Sequence, residues 1–134
     1  MVSELDAFWD GRDTGFLHQA LYLHEFGDTA LAVRGDDATV LAYLLGFPTP
    51  AGVGYIHAVA VRQGHRGGGL ARRLYDEFEA RVRAHGAHEL KAITHPSNDG
   101  SIAFHRSLGF SATEVPNYSF LGESRMVFRR EMSN

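Results

Sequence analysis

Three consecutive glycines are the clearest chemical feature of this sequence. The segment that contains them reads Arg66, Gly67, Gly68, Gly69, Leu70 and Ala71. Glycine lets a backbone turn sharply and approach a ligand closely. The first turn of a helix leaves free N–H groups at its end, and the helix dipole adds about half a positive charge there. If a helix begins after the glycines, the segment predicts a site for a phosphate or pyrophosphate group.

Two common phosphate motifs fit this segment poorly. A P-loop requires lysine and then serine or threonine after its last glycine, and no lysine is present here. A dinucleotide fingerprint requires glycine at position 72, which is Arg72, although Glu89 stands about twenty residues further on. A flexible connecting turn without a ligand is the remaining alternative. Positive charge from His65, Arg66 and Arg73 favours an anion site.

The elements on either side of the glycines are a buried strand and a long helix. Residues Val53 to Val61 are nearly all apolar, as expected of a strand covered on both faces. After the glycines, apolar residues recur every four positions, which is typical of an amphipathic helix ending at Gly86. They are Leu70, Leu74, Phe78 and Val82. Residues His88 to Thr94 form the next strand, so the unit predicts two parallel strands joined right-handedly.

The remaining patterns complete a single α/β domain over residues 1–134. They predict helices over residues 17–26 and 102–108 and strands over residues 29–33, 39–47, 110–115 and 125–130. Gly35, Asp36 and Asp37 mark a hairpin turn between the first two strands. We therefore expect a mixed sheet with helices on both faces.

Composition limits the classes of function. The chain of 134 residues has a net charge of −3 and no cysteine. The charge argues against general nucleic-acid binding, and the longest apolar run is far shorter than the ~20 residues that cross a bilayer. Absence of cysteine excludes a thiol nucleophile and agrees with a cytoplasmic protein. His18 and His24 are six residues apart and point to different sides, and His85 and His88 are three apart but straddle Gly86 at the helix end. We therefore predict no metal site.

Two motifs together resemble the GNAT superfamily of acetyl-CoA-dependent N-acetyltransferases. The glycine segment resembles that family's R/Q-x-x-G-x-G/A signature, which also follows a strand and opens a helix. A second element matches at the right distance and consists of Asn98, Ile102, Ala103, Phe104, Leu108, Gly109 and Phe110. The resemblance spans about residues 28–131. The N-terminal part is shorter than is usual in the family, so its first strand is expected to be missing or remodelled.

The resemblance implies a sheet splayed open between the strands at 53–61 and 88–94. The pantetheine arm of acetyl-CoA is then expected between them, on backbone groups of Val59 and Val61, with the pyrophosphate on the amides of the glycine segment. The residues that the resemblance assigns to acetyl-CoA are Val59, Ala60, Val61, Arg66, Gly67, Gly68, Gly69, Leu70, Ala71, Asn98, Phe104 and Arg106.

Without cysteine, an acyl-enzyme on a thiol is impossible, so we expect direct attack of an amine on the thioester. The resemblance implies that a backbone N–H at a bulge near Val59 holds the oxyanion. His57 is our candidate for the base, because counting by two places it on one strand face with Tyr55, Val59 and Val61. A half-buried histidine bonded to a carbonyl, and a water-mediated base, are the alternatives.

His105 is our candidate for the acid that protonates the departing thiolate. It stands where many family members carry tyrosine, and an imidazolium can donate near neutral pH. Simple packing beside the thiol is the alternative. Glu25 and Tyr43 are predicted to contact the acceptor. For Glu25 the reason is its charge, since an acidic side chain would attract a cationic amine.

The sequence therefore predicts an N-acetyltransferase that acts on a primary amine of a small molecule or peptide. The alternative is a non-catalytic acyl-CoA-binding module, which would keep the glycine segment and lack the acid and base. We expect no nucleic-acid or membrane partner. The terminal hairpin could form a homodimer by extending the sheet of a second copy.

Overall fold

The computed structural model describes residues 29–37, 39–118 and 122–132 of the chain. Within them, six strands form one sheet and two helices pack against it. The elements are β1 (Ala30–Arg34), β2 (Val40–Pro48), β3 (Val53–Val61), α1 (Leu70–Ala84), β4 (Glu89–Thr94), α2 (Asp99–Ser107), β5 (Ser111–Val115) and β6 (Arg125–Glu131). Every predicted element in this range is confirmed, with ends that differ by a few residues at most. The helix predicted over residues 17–26 and the N-terminal remodelling lie outside the described residues.

The sheet is mixed, as predicted. Its strand order is β1-β2-β3-β4-β6-β5, and β3 and β4 are parallel while the other pairs are antiparallel. The parallel pair confirms the strand-helix-strand unit around the glycine segment. Both described helices pack on the same face of the sheet, which we call the helix face, and the other is the open face. The prediction of helices on both faces stays a prediction for the open face, where the described residues place no helix.

The predicted apolar stripe attaches α1 to the helix face. Leu74, Phe78 and Val82 are fully or almost fully buried, as the fourfold spacing indicated. Two strand glycines allow this close packing. A Cβ at Gly46 would lie 2.5 Å from the Phe78 ring, and one at Gly54 would lie 2.7 Å from Val82. The helix therefore rests directly on the backbone of β2 and β3.

The sheet opens between β3 and β4. Their pairing runs only from Val53 opposite Glu89 to Ile56 opposite Ala92. Beyond that point β3 stays paired with β2, and β4 stays paired with β6. The resulting gap confirms the splayed sheet that the family resemblance implied. No helix in the described part of the chain has the length and apolar character needed to cross a membrane.

Candidate active site

A cleft of about 620 Å³ occupies the gap in the sheet. The residues that line it are Ile56, His57, Ala58, Val59, Ala60, Val61, Arg66, Ala71, Tyr75, Ala92, Ile93, Thr94, Asn98, Gly100, Ser101, Phe104 and His105. These residues come from β3, the loop before α1, α1, β4 and α2. Residues from both sheet faces are present, because the separated strands leave no wall between the helix face and the open face.

The β3 side of the cleft offers backbone groups that β2 does not pair. The N–H of Arg62 donates to the carbonyl of Leu41 at 2.7 Å, which identifies a hydrogen-bonded pair of β2 and β3. Such pairs alternate with non-bonded pairs along antiparallel strands. Val59 and Val61 occupy the non-bonded positions, so their N–H and C=O groups are directed away from β2 and toward the gap. These are the two residues predicted to bind the pantetheine arm.

The glycine segment leads into α1 through left-handed backbone that only glycine adopts freely. Gly67 has φ 85° and Gly69, the residue before the helix, has φ 82°. A Cβ built on either residue meets no atom within 4 Å, so the surface above them is open. Among the residues that the structure describes, none accepts a hydrogen bond from the N–H of Gly68, Gly69, Leu70 or Ala71. The segment has the geometry of an anion cradle.

Three arginines surround this cradle. Arg66, Arg72 and Arg73 are exposed, and no carboxylate in the described part of the chain forms an ion pair with them. The Nε of Arg66 donates to the carbonyl of Val61 at 3.2 Å, which holds its guanidinium between the cleft and the cradle. Free cations beside unpartnered N–H groups would suit a phosphorylated ligand, although the whole chain is acidic.

His57 lies at a β-bulge, which changes its predicted surroundings. Leu45 pairs with Ala58 and Gly46 pairs with Ile56, so His57 is the extra residue. The prediction that Tyr55, His57, Val59 and Val61 share one face is therefore wrong, because the bulge interrupts the alternation of two. The bulge lies two residues before Val59, the residue near which the family resemblance implied one.

The bulge places His57 at the open face while Val59 and Val61 pack on the helix face. The imidazole of His57 is exposed, and its ring centroid is 6.3 Å from that of Tyr55. His57 also lines the cleft. It is thus positioned where a molecule approaching from the open face would meet the gap in the sheet.

His105 is buried at the helix-face side of the cleft. It is 4% exposed, and its ring stacks on Phe128 with centroids 4.0 Å apart. Its Nε2 lies 2.7 Å from the hydroxyl of Tyr75, and its Nδ1 lies 2.8 Å from the carbonyl oxygen of Ser101. Tyr75 also lines the cleft. The two residues form a hydrogen-bonded pair, one from each helix.

Hydrogen-bond chemistry fixes the tautomer of His105. A carbonyl oxygen only accepts, so Nδ1 carries the proton that bonds to Ser101, and in the neutral ring Nε2 accepts from the Tyr75 hydroxyl. Burial lowers the pKa of His105 below its ordinary 6.5, and the hydrogen bond to Ser101 opposes this effect. Burial also raises the pKa of Tyr75. The expected imidazolium is therefore the minor form of His105 at neutral pH.

The N-terminus of α2 forms another side of the cleft. Asn98 caps the helix by accepting from the N–H of Ser101 at 3.1 Å, and its side-chain amide donates to the Thr94 hydroxyl at 3.2 Å. Asn98 and Phe104 line the cleft, as predicted for cofactor-binding residues. Arg106 lies on the exposed side of α2 and is not among the lining residues.

Of the two predicted acceptor residues, the structure describes only Tyr43, which does not line the cleft. Glu25 lies outside the described residues. Tyr43 is 6% exposed and packs in a second apolar cluster on the open face with Val40 and Leu45. The sequence reading missed Tyr75 as a cleft residue. It stands beside the apolar stripe of α1, so the helical pattern assigned it to the core, and only its tyrosine hydroxyl could have suggested otherwise.

The donors in the cleft fit a coenzyme A thioester better than a metal ion. A cradle of N–H groups matches a pyrophosphate, and an unpaired strand edge matches the amides of a pantetheine arm. Among the described residues, no group of three histidine, cysteine, aspartate or glutamate side chains has the arrangement of a metal site. The prediction that the protein uses no metal stays a prediction.

Curated relatives match part of the chain. An L-methionine sulfoximine/L-methionine sulfone acetyltransferase of Pseudomonas aeruginosa is 43% identical over 54 residues, which cover 40% of this chain and 31% of the relative. An L-2,4-diaminobutyric acid acetyltransferase of Streptomyces anulatus is 36% identical over 66 residues, covering 48% and 38%. The chain thus matches about a third of the length of these relatives.

Solved structures share the fold over most of the chain. The NatB acetyltransferase complex bound to CoA and MES superposes with a TM-score of 0.77 at 17% identity, covering 97% of this chain and 92% of that one. Ard1 from Thermoplasma volcanium gives 0.74 at 20% identity, covering 87% and 78%. The model of the Acetyltransferase (GNAT) family matches residues 3–110. The chain therefore belongs to the GNAT acetyltransferase family.

Proposed function

We propose that this protein is an N-acetyltransferase that transfers an acetyl group from acetyl-CoA directly to a primary amine. The observation that carries the proposal is the continuity of the site. A cradle of free N–H groups at the start of α1 opens into a gap in the sheet, and that gap reaches the open face. A donor held from the helix face and an acceptor arriving at the open face could therefore meet inside the gap.

Starting from an ammonium, the acceptor nitrogen loses two protons and the sulfur gains one, so one proton is released overall. The ammonium loses a first proton, its nitrogen forms a bond to the thioester carbon and loses the second proton, and the carbon–sulfur bond breaks. The sulfur leaves as a thiolate that takes up a proton. His57 is the proposed base, because it combines exposure at the open face with a place in the cleft lining. The N–H of Val59 is the proposed oxyanion donor, because it is directed into the gap.

His105 remains the proposed source of the proton for sulfur, and Tyr75 is proposed to pass that proton on. Its Nε2 is bonded to the Tyr75 hydroxyl, so a proton on Nε2 reaches the cleft by way of that hydroxyl. Tyr75 gives its O–H proton to the thiolate as Nε2 of the imidazolium returns one to the phenol oxygen. The net change is one proton from His105 to sulfur. Formation of a free tyrosinate, which burial disfavours, is thereby avoided.

The proposed acceptor is the amine of a small molecule or a peptide. The two curated relatives are named for small-molecule amines, and among the solved structures of this fold is a ribosomal-protein-alanine N-acetyltransferase from Brucella melitensis.

We further propose a cytoplasmic protein. A homodimer through β5, the last strand of the described sheet, is testable by light scattering.

A screen of amines with acetyl-CoA, monitored by release of free thiol, tests the proposal. Turnover that depends on the amine and forms an N-acetyl product by mass spectrometry supports it. Saturable binding of acetyl-CoA without turnover on small amines, amino acids or peptides would instead indicate the non-catalytic module. Spontaneous hydrolysis is measured in the same assay without an amine.

A further inference from the structure

Lys91 places a cation on the open face beside the gap. Its neighbours along β4, Leu90 and Ala92, are buried in the core under the helices, so the alternation of a strand directs Lys91 to the opposite side. Lys91 pairs across the parallel strands with Tyr55. The side chain is only partly exposed, in contrast to a lysine that extends freely into solvent.

The ammonium of Lys91 has an aromatic neighbour and no acidic one. Its Nζ lies 5.5 Å from the ring centroid of Tyr118. No carboxylate in residues 29–37, 39–118 and 122–132 forms an ion pair with it. Arg129, the adjacent cation on β6, is already neutralised, because it forms an ion pair with Glu89 at 2.9 Å. The carboxylate of Glu89, two residues along β4 on the same face, is thus already engaged, and no other described carboxylate neutralises Lys91.

An aromatic surface connects Lys91 to His57. Tyr55 lies between them, next to Lys91 in the strand register and 6.3 Å from His57 between ring centroids. Burial, with a smaller effect from Tyr118, raises the pKa of Tyr55, which keeps that phenol neutral. Two residues along a strand span roughly 6–7 Å. A small molecule with its amine at His57 could therefore reach Lys91 with a group a few bonds away.

We propose that Lys91 binds a carboxylate on the acceptor, so that the preferred acceptor is a small amino acid. This inference rests on the proposed function. A carboxylate would supply the counter-charge that no described residue gives Lys91, and it would form a charge-assisted hydrogen bond in a partly buried place. A simple amine or diamine would instead bring a second positive charge to the same surface, and it carries no acidic group that could bind the ammonium of Lys91.

Matched acceptors test this directly. Each amino acid of a panel is compared with its methyl ester and its decarboxylated amine, for example L-2,4-diaminobutyrate with 1,3-diaminopropane, by thiol release. We expect kcat/KM to be about tenfold or more higher for the acids than for the esters. Lys91→Met should abolish that preference, Lys91→Arg should keep it, and Lys91→Glu should reverse it toward the diamines. Arg81→Met, which removes an exposed, ion-paired cation from α1 and leaves Glu89 bound to Arg129, is the control and should keep it.

Three results would overturn the inference. The first is equal turnover of acids and esters by the wild-type protein, and the second is a preference for acids that survives Lys91→Met. The third is faster acetylation of peptides with an acidic side chain than of free amino acids, which would show that the carboxylate belongs to a peptide. If no amine is acetylated, the proposed function fails, and the inference about Lys91 is then tested by the binding of amino acids alone. Amino acids, and not their esters, must then shift the amide resonances of Lys91 and Tyr55 in the wild-type protein and not in Lys91→Met.

Discussion

The two sides of the cleft are built from different parts of the polypeptide. On the helix face, the cradle consists of backbone N–H groups at the start of α1, and the strand edge at Val59 and Val61 consists of backbone as well. On the open face, the groups that could act on an acceptor are the side chains of His57, Tyr55 and Lys91. A backbone site depends on glycines and helix ends, whereas a side-chain site depends on which residue stands at each position.

This difference has a consequence for substitutions. A new side chain in the cradle fills space that a ligand needs, while removal of a side chain from the open face deletes one function and leaves the backbone intact. The cradle should therefore tolerate few changes and lose binding, whereas the open face should tolerate many changes and lose rate or selectivity.

The largest effect is expected from Gly69→Glu. The carboxylate would place a negative charge in the cradle, and the left-handed φ of 82° disfavours any side chain. We expect the Kd for acetyl-CoA, measured by calorimetry, to rise on the order of 100-fold. Gly86→Glu is the matched control at the other end of α1, where φ is 91° and the space is equally open. Equal affinity of both variants would contradict the anion cradle.

Tyr75→Phe should slow the reaction without weakening the binding of acetyl-CoA. Loss of the hydroxyl removes the proposed path from His105 to the cleft, so kcat should fall about 10- to 100-fold while the KM for acetyl-CoA changes little. His105→Phe should have a similar effect, and the double variant should be no slower than either one. Additive losses, or an unchanged kcat, would show that the pair only packs.

His57→Ala should affect the reaction of the amine and leave the binding of acetyl-CoA unchanged. If His57 is the base, kcat/KM for the amine should fall about tenfold, and the rise of this constant on the acidic side of its pH profile should move. The Kd for acetyl-CoA should stay near that of the wild-type protein, because the cradle is on the other face. His85→Ala, at the far end of α1, is the control. An unmoved profile would dismiss His57 as the base and favour a water-mediated path.

The smallest effect concerns stability and pH. In the unfolded chain His105 titrates near 6.5, and in the folded protein burial lowers its pKa. Between these two values the unfolded chain binds more protons, so stability is full above pH 6.5 and falls as the pH decreases through that window. The slope contributed by His105 is at most about 1.4 kcal/mol per pH unit.

Urea unfolding at about pH 7.5 and about pH 5.5 measures this slope. His105→Phe should show a smaller loss of stability between the two conditions than the wild-type protein. His85→Phe, which replaces an exposed histidine, should leave the loss unchanged. A wild-type slope equal to that of His105→Phe would mean that His105 is not held neutral by the fold.

The helix face could be predicted largely from the sequence. Gly67 and Gly69 adopt left-handed backbone that their residue type permits, and Leu74, Phe78 and Val82 are buried where their spacing indicated. The strand-helix-strand order also determines that β3 and β4 are parallel, and so where the cradle opens. These features are local, and each follows from residue type within one or two elements.

The open face, and the contact between the two helices, could not be predicted in the same way. The bulge at His57 depends on how β2 and β3 align around Gly46, and counting by two along β3 gives no sign of it. The bond between Tyr75 and His105 joins residues thirty positions apart on two helices. Lys91 and Tyr118 meet only because the sheet order brings β4 beside the terminal hairpin.

The central claim is that the N–H groups at the start of α1 bind the pyrophosphate of coenzyme A. Protein labelled with [15N]glycine and titrated with coenzyme A tests it by NMR. We predict saturable shifts of the amide resonances of Gly67, Gly68 and Gly69, no shift of Gly86, and no shift of any of the four with pantetheine, which lacks the pyrophosphate. Saturable binding of coenzyme A that leaves the resonances of all three loop glycines in place would contradict the account.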